Sequence, residues 1–560
     1  MRSPARFLLC VLFGALSFPA AAQDDLPAAI KALLQDHIEI DKKGVGMVVG
    51  IIDEHGSTIV SCGHRDTATT PEITGDTLFD ICSITKTFTA ILLQDMVARG
   101  QMKLDDPVAK YLPNSVKVPT RNGKQITLRH LATHTSGLPR DLDNLSPQNW
   151  QNPYADYTPD KFYAFLSSLT LHQDPGEKFE YSSLGMQLLA HAIELKSGVD
   201  YETLVTDRIC RPLKMDSTRI TLTPELKARL AIGHNPPNQS VPEINFAPLL
   251  GAGGLRSTAN DLLKYISANL GLTKSPLTPI MEQTHAVQIP HVDNNMDTAL
   301  GWSVAHFPGA EFISHSGRGI GYRALIAFDK QRRRGVVVVS NSYDDDRLYD
   351  IGWLLLQSKW QTDKRPKAVP IDYRIYDTYT GQYNLAPDSL IGIRRQGNRL
   401  LIQPAGKLTA ELLPESETDF FGRITGRKVT FARDAHGQVT RLIVHADGVE
   451  YPALKISNDP PPLPALPKPH VAISLDPKQL DALIGRYEIT PAEIIIIKRT
   501  ADHLLAIWGG EAFEFSPESA TTFFSSYGDL QITFTTDDKG AVTGLTSHQS
   551  SEKEQHARKL

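Results

Sequence analysis

Phe79-Asp80-Ile81-Cys82-Ser83-Ile84-Thr85-Lys86-Thr87-Phe88 is the stretch around which the rest of the chain is expected to fold. Ser83 and Lys86 are three residues apart, so on a helix their side chains share one face with Cβ atoms about 5–6 Å apart. Apolar residues continue at helical spacing as far as Met96, and Gly100 is a typical helix end. The stretch therefore predicts a turn into a helix that presents a serine and, one turn later, a lysine.

This pairing of residue types is typical of nucleophilic catalysis. A serine hydroxyl is a poor nucleophile until a neighbouring base takes its proton. A lysine serves as that base when burial and nearby positive charge lower its pKa. The spacing alone is weak, because a chain of this length contains roughly two Ser-x-x-Lys matches by chance. The second match, Ser550 to Lys553, lies in a polar tail and is interpreted as a chance match.

The composition is that of a globular protein with several domains. The chain has 560 residues, of which 41% are hydrophobic and 22% are charged, so it is too long for one ordinary domain. The formal net charge is −5, with no basic stripe that would favour nucleic acid. Beyond the N-terminal region no segment is long and apolar enough for a membrane helix. We therefore expect no nucleic-acid partner and no membrane span, and the sequence leaves the oligomeric state open.

The N-terminus carries the pattern of an export signal. Two arginines among the first six residues precede an apolar run from Phe7 to Phe18, and small residues then lead to Gln23. The run is too short to cross a bilayer. The pattern predicts a signal peptide over residues 1–22, cleaved after Ala22. We expect a secreted mature chain, periplasmic if the source is a Gram-negative bacterium.

Three cysteines remain after this cleavage, namely Cys62, Cys82 and Cys210. An odd number in an oxidising compartment allows at most one disulfide and leaves a free thiol. Cys82 stands beside Ser83, so a cysteine nucleophile is one alternative. The interpretation we favour is a small buried residue that packs beneath the start of the helix.

The predicted elements at the two ends of the first domain indicate one antiparallel sheet. A helix and a hairpin over residues 27–62 open the domain. Three strands and a terminal helix over residues 312–360 close it. The pattern predicts an α+β domain over residues 23–362, in which the sheet is flanked by helices and the intervening segments form a helical subdomain.

Two histidines lie in the segment from Ile126 to Pro139, which the sequence predicts to be a helix that ends at Gly137. His130 and His134 are spaced i, i+4, which is half of a typical zinc site. No carboxylate or cysteine stands at ligand spacing nearby. We therefore interpret them as structural histidines hydrogen-bonded to the backbone, and we predict neither a metal nor a cofactor.

Three other segments of the domain suggest local structure. Tyr181 stands before a helix over Leu184 to Lys196, either as a core aromatic or as a phenol that relays protons in a cleft. Leu250 to Leu255 contains three glycines, so its backbone must turn tightly or approach another segment closely. It lacks the lysine and strand context of a phosphate-binding loop, which excludes nucleotide binding there. Ser257 is expected to cap the helix Ala259 to Leu270.

The C-terminal part of the chain contains an internal repeat of roughly one hundred residues. Gly381-Gln382-Tyr383 returns as Gly485-Arg486-Tyr487, and short alternating runs replace helical patterns in both copies. We predict two small antiparallel β-barrels, over residues 371–457 and 471–560. A proline-rich linker over residues 458–470 is expected to join them as a stiff spacer.

Taken together, these motifs resemble those of a known enzyme family. Residues from about Leu26 to Trp360 resemble the class C β-lactamases and penicillin-binding-protein-like serine hydrolases. Ser83-Ile84-Thr85-Lys86 is similar to the family's first motif, Tyr181-Ser182-Ser183 to its Tyr-x-Asn motif, and His315-Ser316-Gly317 to its third motif, usually Lys-Thr-Gly. The two repeats resemble the paired C-terminal lipocalin-like barrels of D-aminopeptidase-type members.

The resemblance implies a β-lactamase/transpeptidase-like fold and an acyl-enzyme mechanism. Ser83 would attack a carbonyl carbon, and Lys86 and Tyr181 would share the proton transfers. The backbone N–H groups of Ser83 and Arg318 would form the oxyanion hole. His315 would orient hydroxyl groups or polarise the substrate.

Two positions depart from the family pattern among the predicted substrate-binding or supporting residues, which are Ser183, His315, Ser316, Gly317 and Arg318. Ser183 stands where the family has Asn, so one hydrogen-bonding arm is shorter. His315 replaces Lys, so we expect a fixed positive charge to become titratable. Both changes weaken the case for an efficient β-lactamase and leave acyl transfer intact.

Three functions stay open at the level of the sequence. The first is a peptidase or amidase acting on small peptides, including those with D-residues, and the second is an esterase or weak β-lactamase on the same site. The third is a non-catalytic wall-binding or penicillin-binding protein. A conventional Ser-His-Asp hydrolase is disfavoured because no Gly-x-Ser-x-Gly elbow occurs.

The second barrel has two interpretations. The simpler one is packing and solubility. The alternative is that its loop around Trp508-Gly509-Gly510-Glu511 forms one wall of the active-site cleft and limits the length of the substrate.

Overall fold

The computed structural model describes residues 26–41, 44–66, 71–142, 144–145, 147, 152, 154–235, 239–243, 250–293, 295–307, 309–343, 345, 347–358, 368–386, 389–405, 407–446, 448–462, 470–491, 493–500, 502–508, 511–525, 530–548 and 554–560. The predicted signal peptide and part of the predicted proline-rich linker lie outside the described residues.

The first domain alternates short strands with helices, and its residues form the following elements in chain order: α1 (Leu26–Glu39), β1 (Gly46–Asp53), β2 (Gly56–Gly63), β3 (Leu78–Asp80), α2 (Thr85–Ala98), α3 (Leu128–Ala132), α4 (Pro159–Ser168), α5 (Ser183–Ser197), α6 (Tyr201–Val205), α7 (Arg211–Leu213), α8 (Pro224–Lys227), β4 (His234–Asn235), β5 (Gln239–Ser240), α9 (Leu250–Gly253), β6 (Arg256–Thr258), α10 (Ala259–Asn269), α11 (Thr278–Thr284), β7 (Ile289–Asp293), β8 (Met296–Thr298), β9 (Ser303–Phe307), β10 (Ala310–Gly319), β11 (Tyr322–Asp329), β12 (Arg334–Ser340) and α12 (Arg347–Gln357). Short 3₁₀ turns cover Cys82–Ile84 and Val108–Tyr111, and a π-turn covers Thr206–Cys210.

One antiparallel sheet joins the two ends of this domain, as predicted. Its strand order is β2-β1-β12-β11-β10-β9-β8-β7, and the front strand β1 pairs with the back strand β12 so that Val48 lies opposite Val339. Along β12, Val336 and Val338 pack in one apolar core, whereas Val337 and Val339 pack in another. Because alternate side chains of a strand point to opposite faces, the sheet is covered on both sides.

Different helices cover the two faces of the sheet. Helices α1 and α12 pack on one face, and the inserted helices α2, α5 and α10 contribute to the core on the other. This arrangement confirms the predicted antiparallel sheet flanked by helices with a helical subdomain. Helix α2, which begins directly after the Ser83 turn, is buried from Thr85 to Met96 and lies in the helix-rich core.

Two local sequence predictions were wrong. The segment Ile126–Pro139 does not form one helix, because α3 stops at Ala132 and the backbone then turns through left-handed conformations at His134 (φ +55°) and Gly137 (φ +74°). The cap of α10 is Thr258 and not Ser257, since the Thr258 hydroxyl accepts the Asp261 N–H at 3.1 Å. Ser257 instead lies in β6 opposite Phe79.

Each C-terminal repeat forms a closed eight-stranded antiparallel barrel preceded by a short helix. The first comprises α13 (Tyr376–Tyr379) after a 3₁₀ turn (Tyr373–Ile375), then β13 (Gly381–Ala386), β14 (Ser389–Gln396), β15 (Arg399–Pro404), β16 (Ala410–Pro414), β17 (Asp419–Gly422), β18 (Lys428–Arg433), β19 (Val439–Ala446) and β20 (Val449–Ser457). The second comprises α14 (Pro477–Leu483), β21 (Gly485–Thr490), β22 (Glu493–Thr500), β23 (His503–Trp508), β24 (Glu511–Pro517), β25 (Thr522–Ser525), β26 (Gln531–Thr536), β27 (Val542–His548) and β28 (Gln555–Lys559).

The repeated Gly-x-Tyr has the same structural role in both barrels. The Tyr383 hydroxyl donates to the Tyr379 carbonyl at 2.6 Å, and the Tyr487 hydroxyl donates to the Leu483 carbonyl at 2.7 Å. Both rings are fully buried in their barrel cores. Each tyrosine thus ties the first strand of its barrel to the helix that precedes it, because a buried phenol needs a hydrogen-bond partner.

A buried ionic cluster anchors α1 to the end of the sheet. His37 Nε2 lies 2.6 Å from Asp345 Oδ1, and Arg347 lies 3.0 Å from Asp41. The Thr409 hydroxyl of the first barrel donates to Asp41 at 2.7 Å. Burial alone would lower the pKa of His37, but Asp345 and Asp41 outweigh it and raise that pKa to about 9.

We expect this cluster to make stability depend on alkaline pH. A histidine whose pKa is raised on folding stabilises the protein fully below its unfolded pKa, near 6.5, and loses that contribution as pH rises through about 9. Substitution of His37 by Gln should therefore cost on the order of 2–3 kcal/mol at pH 6 and much less at pH 9.5. Chemical unfolding at both pH values measures this. His55→Gln, in the exposed β1–β2 turn, is the control, and a His37→Gln cost that does not change with pH would contradict the prediction.

Candidate active site

The turn that presents Ser83 is strained. Cys82, directly before it, has a left-handed backbone with φ +49°, which non-glycine residues rarely adopt. The 3₁₀ turn then passes into α2 at Thr85. The Cys82 thiol is buried and donates to the Asp80 carbonyl at 3.6 Å, so Cys82 is the packing residue that the sequence favoured. Cys62, Cys82 and Cys210 form no disulfide within the described part of the chain.

Ser83 and Lys86 meet as their spacing predicts. Lys86 is buried, and its Nζ donates to Ser83 Oγ at 2.9 Å and to the Ala252 carbonyl at 2.7 Å. The glycine cluster explains the second bond. A Cβ on Gly251 would lie 2.1 Å from the Ala190 side chain, so only glycine lets α9 approach α5 this closely. That approach brings the Ala252 carbonyl to Lys86.

Tyr181 joins the pair from a separate part of the chain. Lys86 Nζ lies 5.0 Å from the centroid of the Tyr181 ring, and Arg140 Cζ lies 5.2 Å from the same centroid. The ring is half-buried, as is Ser83. The structure thus brings together the alcohol, the amine and the phenol that the sequence selected.

His134 lies in this site although the sequence assigned it only a structural place. Its ring stacks on Tyr181 with centroids 4.4 Å apart and planes at 28°, and its Nδ1 accepts the Ser182 N–H at 3.1 Å. Its carbonyl accepts the Glu180 N–H at 2.7 Å. Burial, Lys86 and His315 hold the pKa of His134 well below its usual value, so the ring is neutral.

The expected hydrogen bonds of both histidines to the backbone are present, since His130 Nδ1 accepts the Thr127 N–H at 3.2 Å. Within the described parts of the chain, no group of three or more His, Cys, Asp or Glu side chains is placed to hold a metal ion. The sequence signal that could have placed His134 near the site is its position directly before Thr135-Ser136-Gly137, where a glycine allows the backbone to turn.

We expect His134→Asn to lower kcat by about 10- to 100-fold while KM changes little, because the Tyr181 ring loses its stacking partner and is positioned less exactly. Asn tolerates the left-handed backbone and keeps a side-chain acceptor for the Ser182 N–H. Steady-state kinetics on a chromogenic substrate measure the effect. His130→Asn, four residues earlier and also bonded to the backbone, is the matched control. An equal decrease of kcat in the two variants would contradict the prediction, because it would show that His134 contributes to the fold and not to the position of Tyr181.

The third motif lies on β10, where His315 is buried and Ser316 is exposed. The His315 Nδ1–H donates to the Ser316 carbonyl at 2.7 Å, which leaves Nε2 as the ring acceptor. Burial and the nearby Lys86 charge lower the pKa of His315 to about 3. The expectation of a titratable positive charge is therefore corrected: this ring stays neutral at physiological pH because desolvation disfavours its charged form.

Glycines let β10 lie directly against the Ser83 turn. A Cβ on Gly317 would stand 2.3 Å from the Ile81 carbonyl oxygen, and a Cβ on Gly319 would stand 2.6 Å from the Cys82 sulfur. Arg318, between them, has an exposed side chain whose guanidinium donates to the Tyr343 hydroxyl at 2.6 Å. The strand thus carries the Arg318 backbone past the turn that presents the serine.

Ser183, at the position of the family's Asn, is half-buried beside an unpredicted carboxylate, Asp141. Burial raises the pKa of Asp141, while Arg140, Lys86 and a hydrogen bond from Ser183 oppose that effect. Glu493 of the second barrel raises it further. Two carboxyl groups therefore interact electrostatically beside Ser183, that of Asp141 in the loop after Pro139 and that of Glu493 in the second barrel.

The second barrel packs on this loop through its strands. Ile496 and Leu505 share an apolar core with Leu142 and Leu145, and the Lys498 ammonium donates to the Leu145 carbonyl at 2.6 Å. The contact is therefore made by β22 and β23. Of the loop that the sequence singled out, residues 509–510 lie outside the described residues.

The sequence matches two known families. Residues 28–358 match the family described as Beta-lactamase. Residues 365–456 and 469–559 each match a domain of unknown function, DUF3471.

No helix among the described residues has the length and apolarity needed to cross a membrane.

Curated relatives and a solved structure are similar to parts of the chain. D-alanyl-D-alanine-carboxypeptidase/endopeptidase AmpH of Escherichia coli K12 is 33% identical over 238 residues, which span 42% of this chain and 60% of that relative's length. Penicillin-binding protein 4* of Bacillus subtilis is 27% identical over 422 residues, which span 70% of this chain and 91% of the relative. The β-lactamase/D-alanine carboxypeptidase of Yersinia pestis is 27% identical, with a TM-score of 0.53 over 59% of this chain and 98% of that structure.

Proposed function

Since the chain belongs to the β-lactamase family, we propose that it is a serine hydrolase that forms an acyl-enzyme on Ser83. The observation that carries the proposal is the 2.9 Å hydrogen bond between Nζ of the buried Lys86 and the Ser83 hydroxyl. In this mechanism Ser83 attacks the carbonyl carbon of the substrate. Lys86 and Tyr181 carry the proton from the hydroxyl to the leaving group, and water then releases the acyl group.

Stabilisation of the oxyanion is assigned to two backbone N–H groups, those of Ser83 and Arg318. The Ser83 N–H belongs to the turn that leads into α2, where unpaired N–H groups favour negative charge. The close packing of Gly317 on Ile81 supports the second assignment, because it holds β10 beside that turn. Ser183, Ser316 and the neutral His315 are assigned to substrate binding as uncharged hydrogen-bonding groups.

The proposed substrates are small peptides and amides, including those with D-amino acids. The names of the relatives support this class, since AmpH and the Yersinia pestis protein are both named as carboxypeptidases that act on D-alanine. An esterase or weak β-lactamase is the second candidate. The esterase is favoured by His315, which supplies no positive charge for a substrate carboxylate. The same lack of charge disfavours an efficient β-lactamase.

The two candidates differ in the leaving group, so paired substrates separate them. D-alanyl p-nitroanilide and a short acyl p-nitrophenyl ester should be compared under the same conditions, with a β-lactam as a third substrate. Hydrolysis of the anilide supports the peptidase. Turnover of the ester alone eliminates it in favour of an esterase. A folded protein that a fluorophosphonate probe does not label would instead be a non-catalytic binding protein.

We also propose that the protein acts outside the cytoplasm. The charged, apolar and small-residue order of residues 1–22 supports export. Secretion of the full-length chain, with a mature N-terminus at Gln23 by N-terminal sequencing, would establish it, and an uncleaved cytoplasmic chain would refute it.

A further inference from the structure

An apolar cavity lies at the first barrel, beneath α1 and α12. Its volume is about 90 Å³, whereas one water molecule needs ~10–15 Å³. Ile402 and Ala410 of the barrel line it, together with Ala29 and Leu33 of α1 and Leu354 of α12. Such a predominantly apolar space holds water poorly, because a buried water needs two to four polar partners.

The second barrel provides an internal comparison, because the two repeats share one strand register. In the first barrel β15 and β16 pair Leu400 with Leu412 and Ile402 with Ala410. The second barrel pairs the equivalent strands β23 and β24, with Ala506 opposite Phe513. Phe513 is buried in the core of its own barrel. A phenyl ring therefore fills the second barrel at the position where the first has only the methyl group of Ala410.

The charged side chains between α1 and the barrel pair with one another. The Arg399 guanidinium makes two hydrogen bonds to the Asp36 carboxylate, at 2.8 and 2.6 Å, and lies 3.3 Å from Glu411. Glu411 also lies 2.8 Å from Arg423. Arg427 also lines the cavity. The other four charged side chains pair with one another, so none of them requires a charge on a guest.

We propose that this cavity is a binding site for an uncharged apolar ligand about the size of a phenyl ring. An unfilled space of this volume lowers the stability of the folded protein. In the second barrel the Phe513 side chain fills the equivalent space. The first repeat instead leaves the space open under α1. Helix α1 covers the face of the sheet opposite to the core that contains α2, so the site is separate from Ser83 and goes beyond the proposed hydrolase function.

The test uses the full chain and toluene as the probe. We expect saturable binding of one toluene molecule by calorimetry, together with a higher unfolding temperature in its presence, since a ligand that binds only the folded state stabilises it. The double variant Ile402→Ala/Ala410→Phe, which copies the second barrel, should bind toluene at least 10-fold more weakly. Its hydrolytic activity should equal that of the unchanged chain.

The reverse exchange in the second barrel, Ala506→Ile/Phe513→Ala, is the matched control and should leave toluene affinity at the first site unchanged. If Ile402→Ala/Ala410→Phe does not fold, Ala410→Leu fills part of the same space and should also weaken binding. Absence of saturable toluene binding, or equal binding by the filled variant, would overturn the proposal. Tighter binding of octanoate than of toluene would also overturn it, because it would assign the site to a charged acyl chain.

Discussion

Replacing Ser83 with alanine is expected to lower kcat/KM by on the order of 10⁴-fold or more. The reason is that the Ser83 hydroxyl is the group hydrogen-bonded to Lys86 at 2.9 Å, and without it no acyl-enzyme forms. The fold should survive, because the change removes one half-buried oxygen and leaves the packing of Cys82 and Ile84 intact. The loss should therefore appear in turnover and not in the unfolding temperature.

Mass spectrometry of the intact protein after exposure to an acylating substrate measures this directly. The unchanged chain should gain the mass of one acyl group, and Ser83→Ala should gain none. Ser550→Ala, in the other Ser-x-x-Lys sequence, is the matched control and should be acylated like the unchanged chain. An acyl group that persists in Ser83→Ala would assign the nucleophile to another residue, with Cys82 as the first to map.

Replacing Lys86 with methionine should lower the acylation rate by about 10³-fold, within the range that general acid–base groups contribute. Methionine has a similar length and suits a buried site, but it can neither take a proton from Ser83 nor donate to the Ala252 carbonyl. The Lys86 side chain is almost fully buried, so in the variant no solvent water can take the place of its amine as a proton acceptor.

The matched control for this variant is Lys110→Met. Lys110 also lies over a tyrosine, with its Nζ 5.4 Å from the Tyr111 ring centroid, but its side chain is 56% exposed at the surface. Pre-steady-state release of p-nitrophenol from an acyl ester separates acylation from deacylation. Acylation by Lys86→Met within threefold of the unchanged rate would remove Lys86 from the proton transfer.

Spacing along one element was enough to predict the centre of the site. Ser83 and Lys86 are neighbours on one helical turn, and their contact follows from helix geometry. The sheet was predictable for a similar reason, since the valine-rich runs of β1 and β12 alternate between two cores. Each of these predictions depends on residues within one element or on apolar periodicity.

The role of His134 could not be predicted in this way, because it arises from contacts across the fold. The ring reaches Tyr181 only because α3 ends early and the backbone turns left-handed at His134 itself. The sequence pattern had predicted a helix that continues to Gly137, the first typical stop signal in this segment. The same limit applies to Asp141, whose carboxylate borders the site only when Ser183 and Glu493 are folded against it.

The packing of the second barrel on the first domain is reflected in the sequence of one strand. Strand β22 has four consecutive isoleucines, Ile494 to Ile497, although one outer face of a small barrel normally meets water. In the structure Ile495 and Ile497 point into the barrel core, while Ile496 packs with the first domain. The corresponding strand of the first barrel has Gly392 at the position of Ile496.

The pairing of β1 with β12 also determines when the first domain can complete its fold. Met47 lies opposite Ser340, so the opening hairpin has no neighbour for its inner edge until synthesis has passed Ser340. Closing so long a loop is slow, because its entropy must be lost before the contacts that compensate for it form. The half-made chain therefore carries an unpaired valine-rich edge, which is the kind of segment that aggregates unless it is kept apart from other chains.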